Sequence, residues 1–238
     1  MPGVEATRGR LVAAAAINSQ TNLLRFRLDH RLLGFEPGQY IEVLDTDGTG
    51  VPFSIASIPG DLPHIDLHYT PVAGHPDVPR MARILAASEI RFTAPSGNCW
   101  LDPTLRQRPL LLAAAGTGIS QALSLLRSLV LQPTSPSVEL YWGVRDAAQL
   151  YLRTELDDLA RVHPWFCWHA VVSDEPGYHG RRGYLNAVLT QDAAALTHRV
   201  TVLSGGPAAV YAMYDALLAA GAPATNFHAD VFDYAPRP

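Results

Sequence analysis

The hydrophobic pattern of this chain changes once, near residue 104, and that change limits the folds open to it. Before it, short runs bounded by turn residues repeat: GRLVAAAAIN, NLLRFRLD, QYIEVLD, VPFSIAS, HIDLHYT and EIRFTAP. LLRFRLD and HIDLHYT alternate apolar with polar residues, the period of a half-buried strand. FEPGQY and DTDGTG supply the Pro, Gly and Asp that turns require. One helical signal, VPRMARILAAS, puts Met81, Ile84 and Leu85 on one face. Six short strands with regular turns predict a closed antiparallel six-stranded β-barrel over residues 1–103.

After the change, apolar strands alternate with helical segments. Leu110–Ala115 leads into Ile119–Leu131, VELYWGV into AAQLYLRTELDDLARV, FCWHAVVS into GYLNAVL, and RVTVLS into AAVYAMYDALLAAG, with NFHADVF last. Continuous apolar strands between helices predict a doubly wound parallel α/β sheet over residues 104–238. Gly221 followed by Pro223 stops the last long helix. Such sheets bind ligands at the carboxyl ends of their strands.

Composition narrows the chemistry. The 238 residues suffice for two cores, and a net charge of −4 gives no electrostatic basis for binding nucleic acid or an anionic membrane. All 18 basic side chains are Arg, which removes lysine Schiff bases and a P-loop lysine. Two cysteines, Cys99 and Cys167, cannot hold an iron–sulfur cluster or a cysteine-built zinc site, and they fit a reducing cytosol. LVAAAAI is short for a signal segment and no run reaches membrane-spanning length, so a cytoplasmic protein is expected.

The strand Leu110–Ala115 ends in Gly116, Thr117 and Gly118 and runs into a helix, whose N-terminus offers free N–H groups. Gln121 replaces the third glycine of the dinucleotide fingerprint, and the next strand ends in Gly143 and Arg145 rather than an acid. A second cluster, Ser204, Gly205, Gly206 and Pro207, ends a later strand, with Pro207 placed to open a helix. Two glycine-rich strand ends on one sheet edge predict a backbone-lined shelf for an extended ligand such as a dinucleotide.

In this order, PGQY, PFSIAS, GTGIS, LYWGVRDAAQLY, SGGP and HADVF resemble the ferredoxin–NADP reductase superfamily. The similarity is greatest to its single-chain NAD(P)H–flavin reductases and spans residues ~5–234; PSGNCWL and ELDDLARVHPWF share it. The resemblance implies a flavin (FAD, FMN or riboflavin) on the barrel, NADH or NADPH on the α/β domain, and hydride transfer from nicotinamide C4 to flavin N5 between them. It implies that Phe53 lies against the flavin ring, that Ser54 is the catalytic hydroxyl at N5, and that Pro52 releases its strand from the ladder. The backbone of His68, Tyr69 and Thr70 would follow the polar edge or ribityl chain. Gly116, Thr117 and Gly118 would admit the nicotinamide, and Gly143 and Arg145 would meet ribose and phosphates. Gly205, Gly206 and Pro207 would cover the nicotinamide, with Phe232 approaching from a C-terminal strand.

Three departures shape the expected function. Val51 stands where the family carries an Arg for the flavin phosphate, AGHPDVPRM opens its helix without Ser or Thr, and Gly205 replaces a frequent Cys. Valine cannot grip a phosphate as an Arg fork does. The expectation is therefore a flavin reductase that holds its flavin weakly and releases it reduced to a flavin-dependent monooxygenase or another acceptor protein. One rival keeps FAD and passes electrons to a separate iron–sulfur or haem protein. Another is a redox-inactive nucleotide-binding module, towards which Val51, Gln121 and Gly205 point.

Other polar clusters have plainer readings. His64, Asp66 and His68 share a strand face, expected to be solvated rather than a metal site. His228 and Asp230 share another, with Asp230 expected in a salt bridge or helix cap ahead of a proton-handling role. Arg181 and Arg182 are expected in a solvated loop.

Overall fold

The computed structural model describes residues 7–29, 34–100, 102 and 105–237. The expected domain boundary at 103/104 lies outside them. The first sheet comprises β1 (Thr7–Ala16), β2 (Asn22–Leu28), β3 (Tyr40–Leu44), β4 (Gly50–Ser54), β5 (His64–Tyr69) and β6 (Ile90–Phe92). Its order is β4-β3-β6-β1-β2-β5, with every pair antiparallel. The sheet curls until the chain just past β4 reaches β5, where the Ala56 N–H donates to the Asp66 carbonyl at 2.8 Å. Phe26, Ile41, Val43, Ile65, Leu67 and Phe92 fill the barrel. Helix α1 (Asp77–Ala86) adds Met81 and Ile84 to that core.

Pro52 does not release β4, contrary to expectation. Its partner Glu42 points its own N–H and carbonyl at Thr93, so the Glu42–Pro52 pair exchanges no hydrogen bond. The missing proline N–H therefore faces away from β3, at the sheet's edge, where a proline is tolerated. Val51 points inward and is buried in the barrel core.

The second sheet comprises β7 (Leu110–Ala115), β8 (Val138–Val144), β9 (Phe166–Val172), β10 (Arg181–Arg182), β11 (Val200–Ser204) and β12 (Phe227–His228). All its pairs are parallel, in the order β10-β9-β8-β7-β11-β12. Alternate strand residues feed two apolar layers. One joins Leu112, Leu140 and Trp142 to α2 (Ile119–Val130) and α3 (Arg153–Val162). The other joins Tyr141 and Leu203 to α4 (Leu185–Gln191), α5 (Ala193–Leu196) and α6 (Pro207–Ala219). The chain winds outward from β7 to β10, then returns to β11 on the other side of β7. That reversal makes the β7/β11 boundary the crevice where ligands bind in such sheets.

Two expectations need correction. NFHADVF is a two-residue strand followed by α7 (Val231–Tyr234), so His228 and Asp230 do not share a strand face. Arg181 and Arg182 form β10 instead of a loop, and Arg181 pairs with Asp192 while its guanidinium lies 5.6 Å from the Tyr141 ring centre.

Candidate active site

The barrel's two edge strands, β4 and β5, leave a seam, and a cleft opens over it. Pro52, Phe53, Ser54, His68, Tyr69 and Thr70 line one wall; Thr117, Gly118, Gly205 and Asp230 line the other. Phe53 meets Tyr69 edge-on, ring centres 6.0 Å apart. A larger groove, about 800 Å³, continues past the carboxyl ends of β7 and β8 at Gly116, Gly143 and Arg145. Thr70, Val72 and Thr117 line both spaces, so flat ligands in the two would meet there.

The glycines are dictated by backbone contact. A Cβ on Gly118 would lie 2.6 Å from the Gly205 nitrogen, so the two glycine loops touch at the β7/β11 boundary. Gly116 adopts φ +57° with open space where a side chain would stand, and its carbonyl accepts the Trp142 indole N–H at 2.9 Å. Gly205 has φ +132°, a conformation strained for any L side chain, and a Cβ there would lie 2.9 Å from the Ala115 carbonyl oxygen. These bare loops form a cradle suited to the close approach of a nucleotide.

Asp230 is the most perturbed acid of the cleft. It is 7% exposed, and burial pushes its pKa up to about 6 from 3.8. Its Oδ2 accepts from Gln121 Nε2 at 2.6 Å, and the same amide donates to the Gly38 carbonyl at 2.7 Å. No hydrogen bond of ordinary geometry reaches Oδ1 among the described residues, although the Cys99 thiol and the Asn98 N–H lie near the carboxyl group. Among the described residues the expected salt bridge is absent, and no side-chain bond caps α7. Gln121, odd as a fingerprint residue, thus bridges the two domains.

The raised pKa has a consequence for stability. The native state takes up a proton here more readily than the unfolded chain between about pH 4 and 6. The stabilisation from protonating Asp230 is complete below the unfolded pKa and lost as pH rises through about 6. Asp230→Asn cannot ionise, so it should gain about 2 kcal/mol relative to wild type between pH 4 and 7. Urea midpoints across that range measure this; a pH-independent difference would refute it.

His68 reaches the other way. Its Nδ1 lies 3.0 Å from the Tyr151 hydroxyl, and the Tyr151 ring packs edge-on against Trp142 at 5.2 Å. Burial, then Arg127, lowers the His68 pKa to about 4, so it is neutral at pH 7. The supposedly solvated face is buried at Asp66 and His68, and Arg25 grips Asp66 with two 2.7 Å bonds.

Most expected residues line the cleft or groove, but Gly206, Pro207 and Phe232 do not. Gly206 and Pro207 open α6 at its exposed end, and Ala208 and Ala209 meet the groove instead. Phe232 packs on Tyr211 and Tyr214 of α6, while Val231 and Tyr234 line the cleft. The sequence reading also missed Tyr184, a 72% exposed ring at the groove's rim. Its signal was an aromatic between a φ-positive glycine and a helix start.

An antiparallel barrel, a parallel sheet with glycine loops at its switch point, and a shared cleft make up the architecture of the two-domain flavin- and nicotinamide-binding oxidoreductases. Residues 112–215 match the oxidoreductase NAD-binding domain family. The chain is 30% identical over 179 residues to an NAD(P)H-flavin reductase of Aliivibrio fischeri, covering 73% of this chain and 75% of that protein. It is 30% identical over 218 residues to reductase component 2 of the terephthalate 1,2-dioxygenase of a Comamonas species, covering 90% of this chain. It spans 65% of that protein's length. The crystal structure of the cytochrome P450 reductase GcoB of Amycolatopsis superimposes with a TM-score of 0.84 at 27% identity, over 95% of this chain and 69% of that one. The chain belongs to the ferredoxin–NADP reductase superfamily. No helix among the described residues is long and apolar enough to cross a membrane.

Proposed function

We propose that the protein is an NAD(P)H-dependent flavin reductase that binds its flavin weakly and releases it reduced to an oxygenase or other acceptor protein. The shared lining at Thr70, Val72 and Thr117 carries this reading, because it brings the two ligand spaces into contact. When both ligands are bound, hydride passes from nicotinamide C4 to flavin N5. Phe53 supplies an apolar ring beside the flavin, and Ser54 orients it by a hydrogen bond at N5. Gly116, Thr117 and Gly118 admit the nicotinamide, and Gly143 and Arg145 hold its ribose and phosphates. Asp230, poised near neutrality in a nearly dry setting, is placed to hand on a proton.

Weak flavin binding follows from charge. The cleft is lined by two carboxylates, Asp77 and Asp230, and by no Arg. Arg80 donates to Asp77 at 2.6 Å and Arg83 is held by Asp45, so a carboxylate already neutralises each of them. With Val51 buried, no arginine among the described residues lines the cleft in place of the family's Arg.

Purified protein assayed for NADH and NADPH oxidation with riboflavin, FMN and FAD tests the proposal. A colourless protein that uses riboflavin at least as efficiently as FMN is the expected outcome. Stoichiometric FAD retained through purification would overturn it in favour of a bound-FAD electron-transfer reductase, the reading the Comamonas likeness favours. Ser54→Ala should lower kcat roughly tenfold or more, the scale of one lost orienting hydrogen bond. An unchanged kcat would remove Ser54 from the mechanism.

A further inference from the structure

A cluster of unlike donors sits far from the cleft, at the starts of β8 and β9. Glu139 and Cys167 are directly opposite across the β8–β9 ladder, and Tyr141 and His169 form the next pair on the same face. One Glu139 carboxylate oxygen, the Cys167 sulfur and one His169 ring nitrogen all lie within 4.8 Å of one another.

The surroundings hold two of these donors in place. Glu139 Oε1 is 2.9 Å from His169 Nε2 and 3.2 Å from the Tyr141 hydroxyl, which donates to Asp192 at 2.7 Å. Arg199 Nη2 sits 3.2 Å from Glu139 Oε2, fixing that side of the carboxylate. The His169 ring packs on Tyr141 with ring centres 4.4 Å apart. Cys167 is exposed, so a fourth position stays open to water.

We propose that Glu139, Cys167 and His169 bind a divalent transition-metal cation of the zinc class. One thiolate, one imidazole and one carboxylate form the mixed soft and hard set that zinc accepts in a tetrahedral site, with water completing it. Binding releases the Cys167 thiol proton, and the His169 Nε2 lone pair turns from Glu139 to the metal while its proton resides on Nδ1. Arg199 then acts from outside, bonding the carboxylate oxygen that the metal leaves free. The distance along β8 from Glu139 to Gly143 is about 13 Å at 3.3 Å per residue. The metal therefore clamps two strands and takes no part at the cleft.

The test uses the full chain after treatment with a chelator, titrated with Co²⁺ and then Zn²⁺. A thiolate-to-cobalt charge-transfer band saturating at about one equivalent, displaced by Zn²⁺, is the expected result, with a Zn²⁺-dependent rise in melting temperature. Cys99 is 1% exposed and cannot supply that thiolate. Cys167→Ser should abolish the band, weaken Zn²⁺ at least tenfold and leave basal NADH oxidation unchanged. His169→Ala should also weaken Zn²⁺ at least tenfold. No band in the wild-type protein, or equal Zn²⁺ affinity in Cys167→Ser, would overturn the site.

Discussion

Gln121→Leu should destabilise the protein by about 3 kcal/mol or more, although leucine nearly matches glutamine in volume. The amide of Gln121 serves two buried acceptors at once, the Gly38 carbonyl on the barrel side and the Asp230 carboxylate on the other. Leucine would leave both unpaired, and each buried group without its partner costs about 1–3 kcal/mol, more when charged. The Asp230 carboxyl would also lose a bond that lowers its pKa, and so should move further above its wild-type value. Urea unfolding at pH 7 measures the first effect, and repeating it at pH 5 separates the second, because protonating Asp230 relieves part of the penalty. A midpoint like the wild type at both pH values would mean that the bridge contributes nothing.

Gly118→Ala should harm both stability and nucleotide binding. The added Cβ would lie 2.6 Å from the Gly205 nitrogen and 2.6 Å from the Ser204 carbonyl carbon, neither of which can rotate away. Relief requires β7 and β11 to part at their carboxyl ends, where the groove begins. Overpacking of this kind costs about 1–3 kcal/mol. The KM for NADH should rise at least tenfold, equivalent to about 1.4 kcal/mol. Wild-type KM and wild-type stability together would show that the loops do not touch as described.

What could be read from the chain was what short stretches encode. Alternation in LLRFRLD and HIDLHYT marked strands, and GTGIS and SGGP marked strand ends, because each signal lies within a few residues. What escaped depends on partners far away in sequence. Gln121 reads as a defective fingerprint until Gly38, 83 residues earlier, and Asp230, 109 residues later, arrive beside it. His68 reads as solvated because nothing local announces that Tyr151 will cover it. HADVF misled for a different reason: α7 has four residues, barely one turn, too few to show a helical period. Reading it as a strand aimed Phe232 at the cleft; the helical turn sends it to α6 and brings Tyr234 round instead.

The seam between β4 and β5 has a consequence for the protein between turnovers. If the protein gives up its flavin as proposed, it waits with that seam uncovered, and an open strand edge invites a foreign strand to add to it. Pro52 offers no donor at its rung and faces outward, so an incoming strand would find the ladder broken midway. The residue that borders the ligand space thus also guards the uncovered edge against strand addition.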